Sequence, residues 1–173
     1  MGIKKWTPED IQMLFKIQYW SALRPMEIII REKSDFNVSD RIIKLGDTKT
    51  RDNDTTIIPK RFCTELSEWL NLKERGRLFE GLTYHTYYLW LKRLGKLLDI
   101  EALITPQSNT HEKTVGHIFR KSVGKDMIYG LVLDENGNRF SLPIISKLMR
   151  HSKPSITEDH YLKASQSQVS EIY

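Results

Sequence analysis

The apolar residues of this chain keep a helical period almost throughout, and they break it once, between residues 41 and 59. There, Arg41-Ile42-Ile43-Lys44-Leu45 and Thr55-Thr56-Ile57-Ile58-Pro59 form two β-branched runs. Branching at Cβ stiffens a side chain against the helix and suits it to a pleated surface. The stretch between the runs, Gly46-Asp47-Thr48-Lys49-Thr50-Arg51-Asp52-Asn53-Asp54, is rich in turn formers. The pattern predicts a β-hairpin with a long, polar, basic tip.

Helical patterns flank the hairpin. Thr7-Pro8-Glu9-Asp10 supplies a cap, a proline at the first helical position and acids at the positive end of the dipole. Ile11, Leu14, Phe15 and Ile17 then recur at helical spacing, and the helix is expected to end near Arg24-Pro25, because the residue before proline avoids the helical region. A short helix restarting at Pro25 would carry Met26, Ile28 and Ile29. Phe62, Leu66, Trp69 and Leu70 mark the next helix, and Arg77-Leu78-Phe79 reads as a third short strand. Residues 83–98 put Tyr87, Trp90, Leu91, Leu94, Leu97 and Leu98 in phase. From Lys113 a helix is expected with Val115, Ile118, Phe119 and Val123 on one face. Residues 131–140 hold an Asn-Gly turn, read as a hairpin or loop. Ser141 caps a helix with Leu142, Ile145, Leu148 and Met149 as its stripe. Ser155 and Glu158 have capping-box spacing, so a last helix is expected to contain Tyr161. The expected class is α+β: mostly helical, with a small three-stranded antiparallel sheet on one edge.

Composition narrows the setting. A chain of 173 residues, 39% of them hydrophobic, suits one domain, or two small lobes sharing a core, with enough apolar residues to bury a real core. No apolar run approaches the roughly 20 residues that span a bilayer, and the first ten residues have lysines with no apolar stretch behind them. The expectation is a protein without membrane attachment. Cys63 is the one cysteine, so an intramolecular disulfide is impossible, which fits a reducing cytoplasm. It lies in a helix start and reads as a buried structural thiol. The net charge of +5 leans toward a polyanionic partner. There is no His-Glu-x-x-His, no cysteine pair, no clustered carboxylates, no Gly-x-x-x-x-Gly-Lys loop and no Gly-x-Ser-x-Gly elbow. Neither a metal nor another cofactor is expected.

Four polar clusters interrupt the apolar patterns: Leu23-Arg24-Pro25-Met26-Glu27 at a helix junction, Thr48-Lys49-Thr50 at the hairpin tip, His117-Ile118-Phe119-Arg120, and Arg150-His151 followed by Tyr161. His117 and Arg120 share a helix face that points away from Val115, Phe119 and Val123, toward solvent or a ligand. Singly, each cluster has an ordinary reading: a local ion pair, a solvated lysine, a polar face, a capping histidine, a half-buried tyrosine.

In their order, these clusters resemble the tyrosine recombinase, or phage-type integrase, family: arginine in Leu-Arg-x-x-Glu, lysine on a hairpin, His-x-x-Arg, a late histidine, then tyrosine. Arg24, Lys49, His117, Arg120, His151 and Tyr161 match in turn, over nearly the whole chain, with the late block Leu-Met-Arg-His-Ser followed by Thr157 and Tyr161. The chain departs from the pattern at Lys121, where histidine is frequent, and at Arg150, where glycine stands before the late histidine. Residues 131–140 are extra, and the gap from His151 to Tyr161 is longer. The family's separate N-terminal domain, which helps encircle DNA, has no counterpart, so residues 1–173 read as the catalytic domain alone.

The resemblance implies metal-independent cleavage and rejoining of DNA through a 3′-phosphotyrosyl intermediate, with Tyr161 as nucleophile. Two permanently charged guanidiniums, Arg24 and Arg120, would grip the phosphate oxygens bidentately. His117 would be the base, His151 a phosphate donor and Lys49 the acid for the leaving oxygen. Glu27 would support Arg24, and Thr48, Thr50, Arg51, Lys121, Arg150 and Lys153 would touch DNA. The implied partners are double-stranded DNA and, on it, further copies of the chain as a tetramer. The implied role is that of a viral or plasmid-borne integrase acting in the host cytoplasm, and the Lys/Ile-rich usage points to an archaeal or AT-rich source. Two alternatives stand beside it: a basic DNA-binding module without catalysis, and a type IB topoisomerase. Small size and the Leu-Arg-x-x-Glu block favour the recombinase over the latter.

Overall fold

The computed structural model describes residues 6–48, 51–100 and 117–150, with side chains left undescribed at 47, 48 and 51–53. The chain divides into two compact units, Met1–Arg120 and Lys121–Tyr173.

The first unit opens with helix α1, Pro8–Trp20. Its N-terminus is a reciprocal cap: the Thr7 hydroxyl accepts the Asp10 N–H, and the Asp10 carboxylate accepts the Thr7 N–H. Leu14 and Ile17 are fully buried. The helix stops at Trp20, four residues before the expected Arg24, because Ala22 turns into the left-handed region at φ 50°. For a residue with a Cβ that conformation costs roughly 1–2 kcal/mol. Helix α2, Pro25–Ile29, then restarts at the proline and buries Ile28 and Ile29.

The sheet has strands β1 (Phe36–Asn37), β2 (Ile42–Thr48) and β3 (Arg51–Ile57), antiparallel in the order β1-β2-β3. Two expectations need correction. The third strand is β1, not Arg77-Leu78-Phe79; Arg77 makes only an isolated bridge to Glu32, while Leu78 and Phe79 sit in the core. The turn-rich stretch is also not one long tip, since pairing continues to Thr48 opposite Arg51. Register shifts on either side of Gly46 absorb the turn formers. A bulge accepts such residues because it needs an unpaired position and extra twist, and Gly46, at φ 70°, takes the required backbone without strain.

Helix α3 (Lys60–Asn71) buries Phe62, Leu66, Trp69 and Leu70. Helix α4 (Tyr84–Leu97) buries Tyr87 and Leu91. These pack with α1, α2 and the sheet into one core. Leu97 and Leu98, expected in the α4 stripe, are instead exposed, because the helix ends there and its last turn leaves the core. Cys63 is half-buried, its thiol near the Pro59 carbonyl at 3.5 Å.

Asp10 ties the cap of α1 to the end of α3. Its carboxylate accepts from Trp69 Nε1 at 3.2 Å and from Lys73 Nζ. Burial pushes its pKa up, but hydrogen bonds from Lys73 and the Thr7 N–H, the charge of Lys73, and the Trp69 bond together win, so the pKa falls below the ordinary 3.8. A lowered carboxyl pKa stabilises the fold above the unfolded-state value, and that contribution is lost as pH falls through the folded-state value. Asp10→Asn is therefore expected to lower the unfolding temperature at about pH 7 and to shrink the difference from wild type by about pH 3, read from melting curves across that range.

Helix α5 (Ile118–Ile128) runs over the division between the units. Within the second unit it buries Val123 and Met127, with Val132, Ile145 and Met149 also buried. Residues 131–140 form a loop in which the Asp134 carboxylate accepts the N–H groups of Asn136 and Asn138 at 2.9 and 2.8 Å. Those bonds hold the Asp134 pKa below its ordinary value. Gly137 takes φ 78° in the same turn. Helix α6, Leu142–Leu148, follows with Ser141 at its N-cap.

Candidate active site

The site is built around the junction of α1 and α2, residues 21–24. Two successive carbonyls of this junction are held by side chains from remote elements. Thr56 Oγ1, on β3, donates to Ser21 O at 2.9 Å. Arg120 Nη1, on the first turn of α5, donates to Ala22 O at 2.8 Å. Both bonds are buried. They hold the strained turn at Ala22 in place, and burial makes each hard to replace with water. Tyr87 adds a third tie from α4, its hydroxyl donating to Gln18 Oε1 at 2.6 Å. Burial raises the Tyr87 pKa far above the ordinary value, the Gln18 bond opposing it, so this phenol stays protonated and structural.

Arg24 stands at the N-cap of α2, with its side chain 46% exposed. Its neighbour Glu27 orients it twice over. One Glu27 oxygen accepts the Arg24 N–H at 2.6 Å, and the other accepts Nη1 at 2.9 Å. The carboxylate is thus fixed by the helix start, and the guanidinium is fixed by the carboxylate, leaving its outer edge open to a ligand.

Arg120 departs from the expectation of a face turned to solvent. It is 3% exposed. The first turn of α5 enters the core on more than one side: Phe119 stacks on Phe15 with ring centroids 4.9 Å apart, while Arg120 runs inward and ends on a backbone carbonyl. A charged head is tolerated there because the carbonyl satisfies part of its fork. His117, half-buried, stands directly before α5. Arg24, Glu27 and Arg120 are therefore gathered at one junction.

Among the expected DNA contacts, Lys121 is exposed on α5, whereas Arg150 is 7% exposed and sits at φ 47° after α6. Thr48 and Arg51 pair across the end of the hairpin. Lys49, Thr50, His151, Lys153 and Tyr161 lie outside the described residues.

One residue that the sequence reading passed over is Arg31. It is 8% exposed, follows three isoleucines and bonds to both α2 and β2. A charged residue at the end of an apolar run was the available signal. Among the described residues, no group of three or more His, Cys, Asp or Glu side chains gathers as a metal site, and no helix is long and apolar enough to cross a membrane.

Comparison with known proteins bears on the family and the fold. The sequence profile of the phage integrase family matches residues 4–168. None of the curated proteins compared with the chain matches it. Among solved structures, XerA recombinase is similar in fold, with TM-score 0.59 and 16% identity over 97% of this chain. The chain spans 64% of that protein's length. The catalytic domain of bacteriophage HP1 integrase matches with TM-score 0.58 and 17% identity, over 91% of this chain and 86% of that one. A Tn1549 transposon integrase, solved in complex with circular intermediate DNA, matches with TM-score 0.56 and 12% identity, over 100% and 68%. A mostly helical chain with a three-stranded antiparallel sheet and a profile match over nearly the full length agree on one assignment: this chain belongs to the phage integrase family.

Proposed function

We propose that this chain is the catalytic domain of a site-specific DNA recombinase that cleaves and rejoins strands through a 3′-phosphotyrosyl intermediate. The observation that carries the reading is the Arg120 guanidinium, held 2.8 Å from the Ala22 carbonyl at the junction that also presents Arg24. In this reading the two guanidiniums share one anion, and their forks suit the oxygens of a phosphodiester, on which negative charge builds during in-line displacement. The DNA complex of the Tn1549 integrase, a protein of similar fold, supports double-stranded DNA as substrate.

In the proposed step the Tyr161 hydroxyl attacks phosphorus. A bond forms from its oxygen to phosphorus as the bond from phosphorus to the 5′ oxygen breaks. His117 takes the phenol proton, needed because an ordinary tyrosine pKa is about 10. The electron pair leaves with the 5′ oxygen, and Lys49 protonates it. His151 donates to the phosphate. A 5′ hydroxyl of another strand then attacks phosphorus and gives its proton to the now neutral Lys49; the bond from phosphorus to the Tyr161 oxygen breaks, the phenolate regains its proton from His117, and the phosphodiester is restored. Thr48, Thr50, Arg51, Lys121 and Lys153 touch the backbone and Arg150 supports that surface. Four copies on two DNA sites, in the cytoplasm of a host cell, would complete the exchange for a mobile element.

The test uses nicked duplexes of randomised sequence, in which a cleaved 5′ fragment diffuses away and traps the covalent product. Protein is denatured and attached DNA is recovered. Recovery of defined sequences supports the reading. Salt-dependent retardation of the same duplexes with no covalent product would instead favour a DNA-binding module. Relaxation of supercoils without strand exchange would favour a topoisomerase.

A further inference from the structure

We propose that Arg31 is a positioning residue for strand cleavage, setting the reach of the β2–β3 hairpin that carries Lys49; this rests on the reading of Lys49 as general acid. Arg31 is buried between the helix that presents Arg24 and the strand that leads to Lys49. Its Nε donates to Glu27 O at 2.8 Å, on α2. Its Nη1 donates to Lys44 O at 2.8 Å, on β2, and lies 3.3 Å from the Asp35 carboxylate beside β1. One planar fork thus ties together α2, the turn Lys33–Asp35 that precedes β1, and β2.

The grip falls at a particular place. Lys44 pairs with Thr55, and the register shifts between Lys44 and Gly46, then again between Gly46 and Thr48. Lys44 is the last regularly paired residue before the irregular half of the hairpin. A bulge bends its strand, and a two-stranded ribbon alone is only marginally stable. A tether at the base of that bend fixes the direction in which the distal half projects. Glu27, whose carbonyl takes one arm of the fork, also fixes Arg24 through its carboxylate. The phosphate clamp and the hairpin are therefore registered to each other through Arg31. Proton delivery needs this precision, because an acid must come within roughly 2.6–3.2 Å of the leaving oxygen.

The test separates proton delivery from general damage. Duplexes trapped as above are made in two forms, one natural and one with sulfur replacing the 5′ bridging oxygen. In the second form the bond from phosphorus to sulfur breaks and the pair leaves as a thiolate, which needs no proton. Wild type, Arg31→Met, Arg31→Lys and Lys49→Ala are compared in single-turnover cleavage. Arg31→Met is expected to slow the natural substrate by roughly 10²-fold while cleaving the sulfur substrate near the wild-type rate. Lys49→Ala is expected to show the same rescue, and Arg31→Lys an intermediate defect. If Arg31→Met folds poorly, Asp35→Asn, which loosens the same fork, carries the comparison. An equal defect on both substrates in a folded Arg31 variant, with Lys49→Ala rescued, overturns the role of Arg31 and leaves that of Lys49 standing. Lys49→Ala without rescue overturns both.

Discussion

Changing Tyr161 to Phe is expected to remove covalent attachment to DNA and to lower the trapped product by on the order of 10³-fold or more. Only one oxygen is lost, so binding of the same duplexes persists at the same salt dependence. The protein has other phenols, and each makes a control. Tyr87 is buried, protonated and bonded to Gln18, so it cannot attack. Tyr173 is near the C-terminus, and Tyr173→Phe is expected to keep full activity. Peptide mapping of the adduct should place the nucleotide on Tyr161. Adducts that survive undiminished in Tyr161→Phe would remove this residue from the reaction.

The two arginines are expected to fail differently when each is cut back to Ala. In the proposed reaction both lose a phosphate-gripping fork, and each loss should slow cleavage by roughly 10²–10³-fold, as for a lost oxyanion donor worth about 3–4 kcal/mol. Their effects on folding diverge. Arg24 is half-exposed and paired with Glu27 at the surface, so its removal should change stability by less than about 1 kcal/mol. Arg120 is buried and holds the Ala22 carbonyl, so its removal should also cost about 1–3 kcal/mol of folding free energy. Urea unfolding set beside single-turnover cleavage reads both quantities. Lysine at either position keeps the charge and loses the fork, and should recover only part of the rate. An Arg120→Ala protein that is destabilised yet cleaves normally would make Arg120 a strut for the junction and nothing more.

The sequence alone determined the elements whose signals are local. Thr7-Pro8-Glu9-Asp10 specified the start of α1, because cap, proline and acids act within one turn. The β-branched runs on either side of Gly46 specified β2 and β3, and the ordered polar clusters pointed to the family that the profile match supports. Tertiary structure decided what depends on partners remote in the chain. Phe36-Asn37 rather than Arg77-Leu78-Phe79 completes the sheet, because two residues carry no periodicity and only β2 gives them a partner. The hairpin kept its pairing through a turn-rich stretch because bulges absorbed it. Arg120 and Arg31 went inside against their residue type, since carbonyls 98 and 13 residues away were waiting to accept them. A hydrogen-bond acceptor supplied by another element leaves no trace in the local pattern, and only the folded chain brings it within reach.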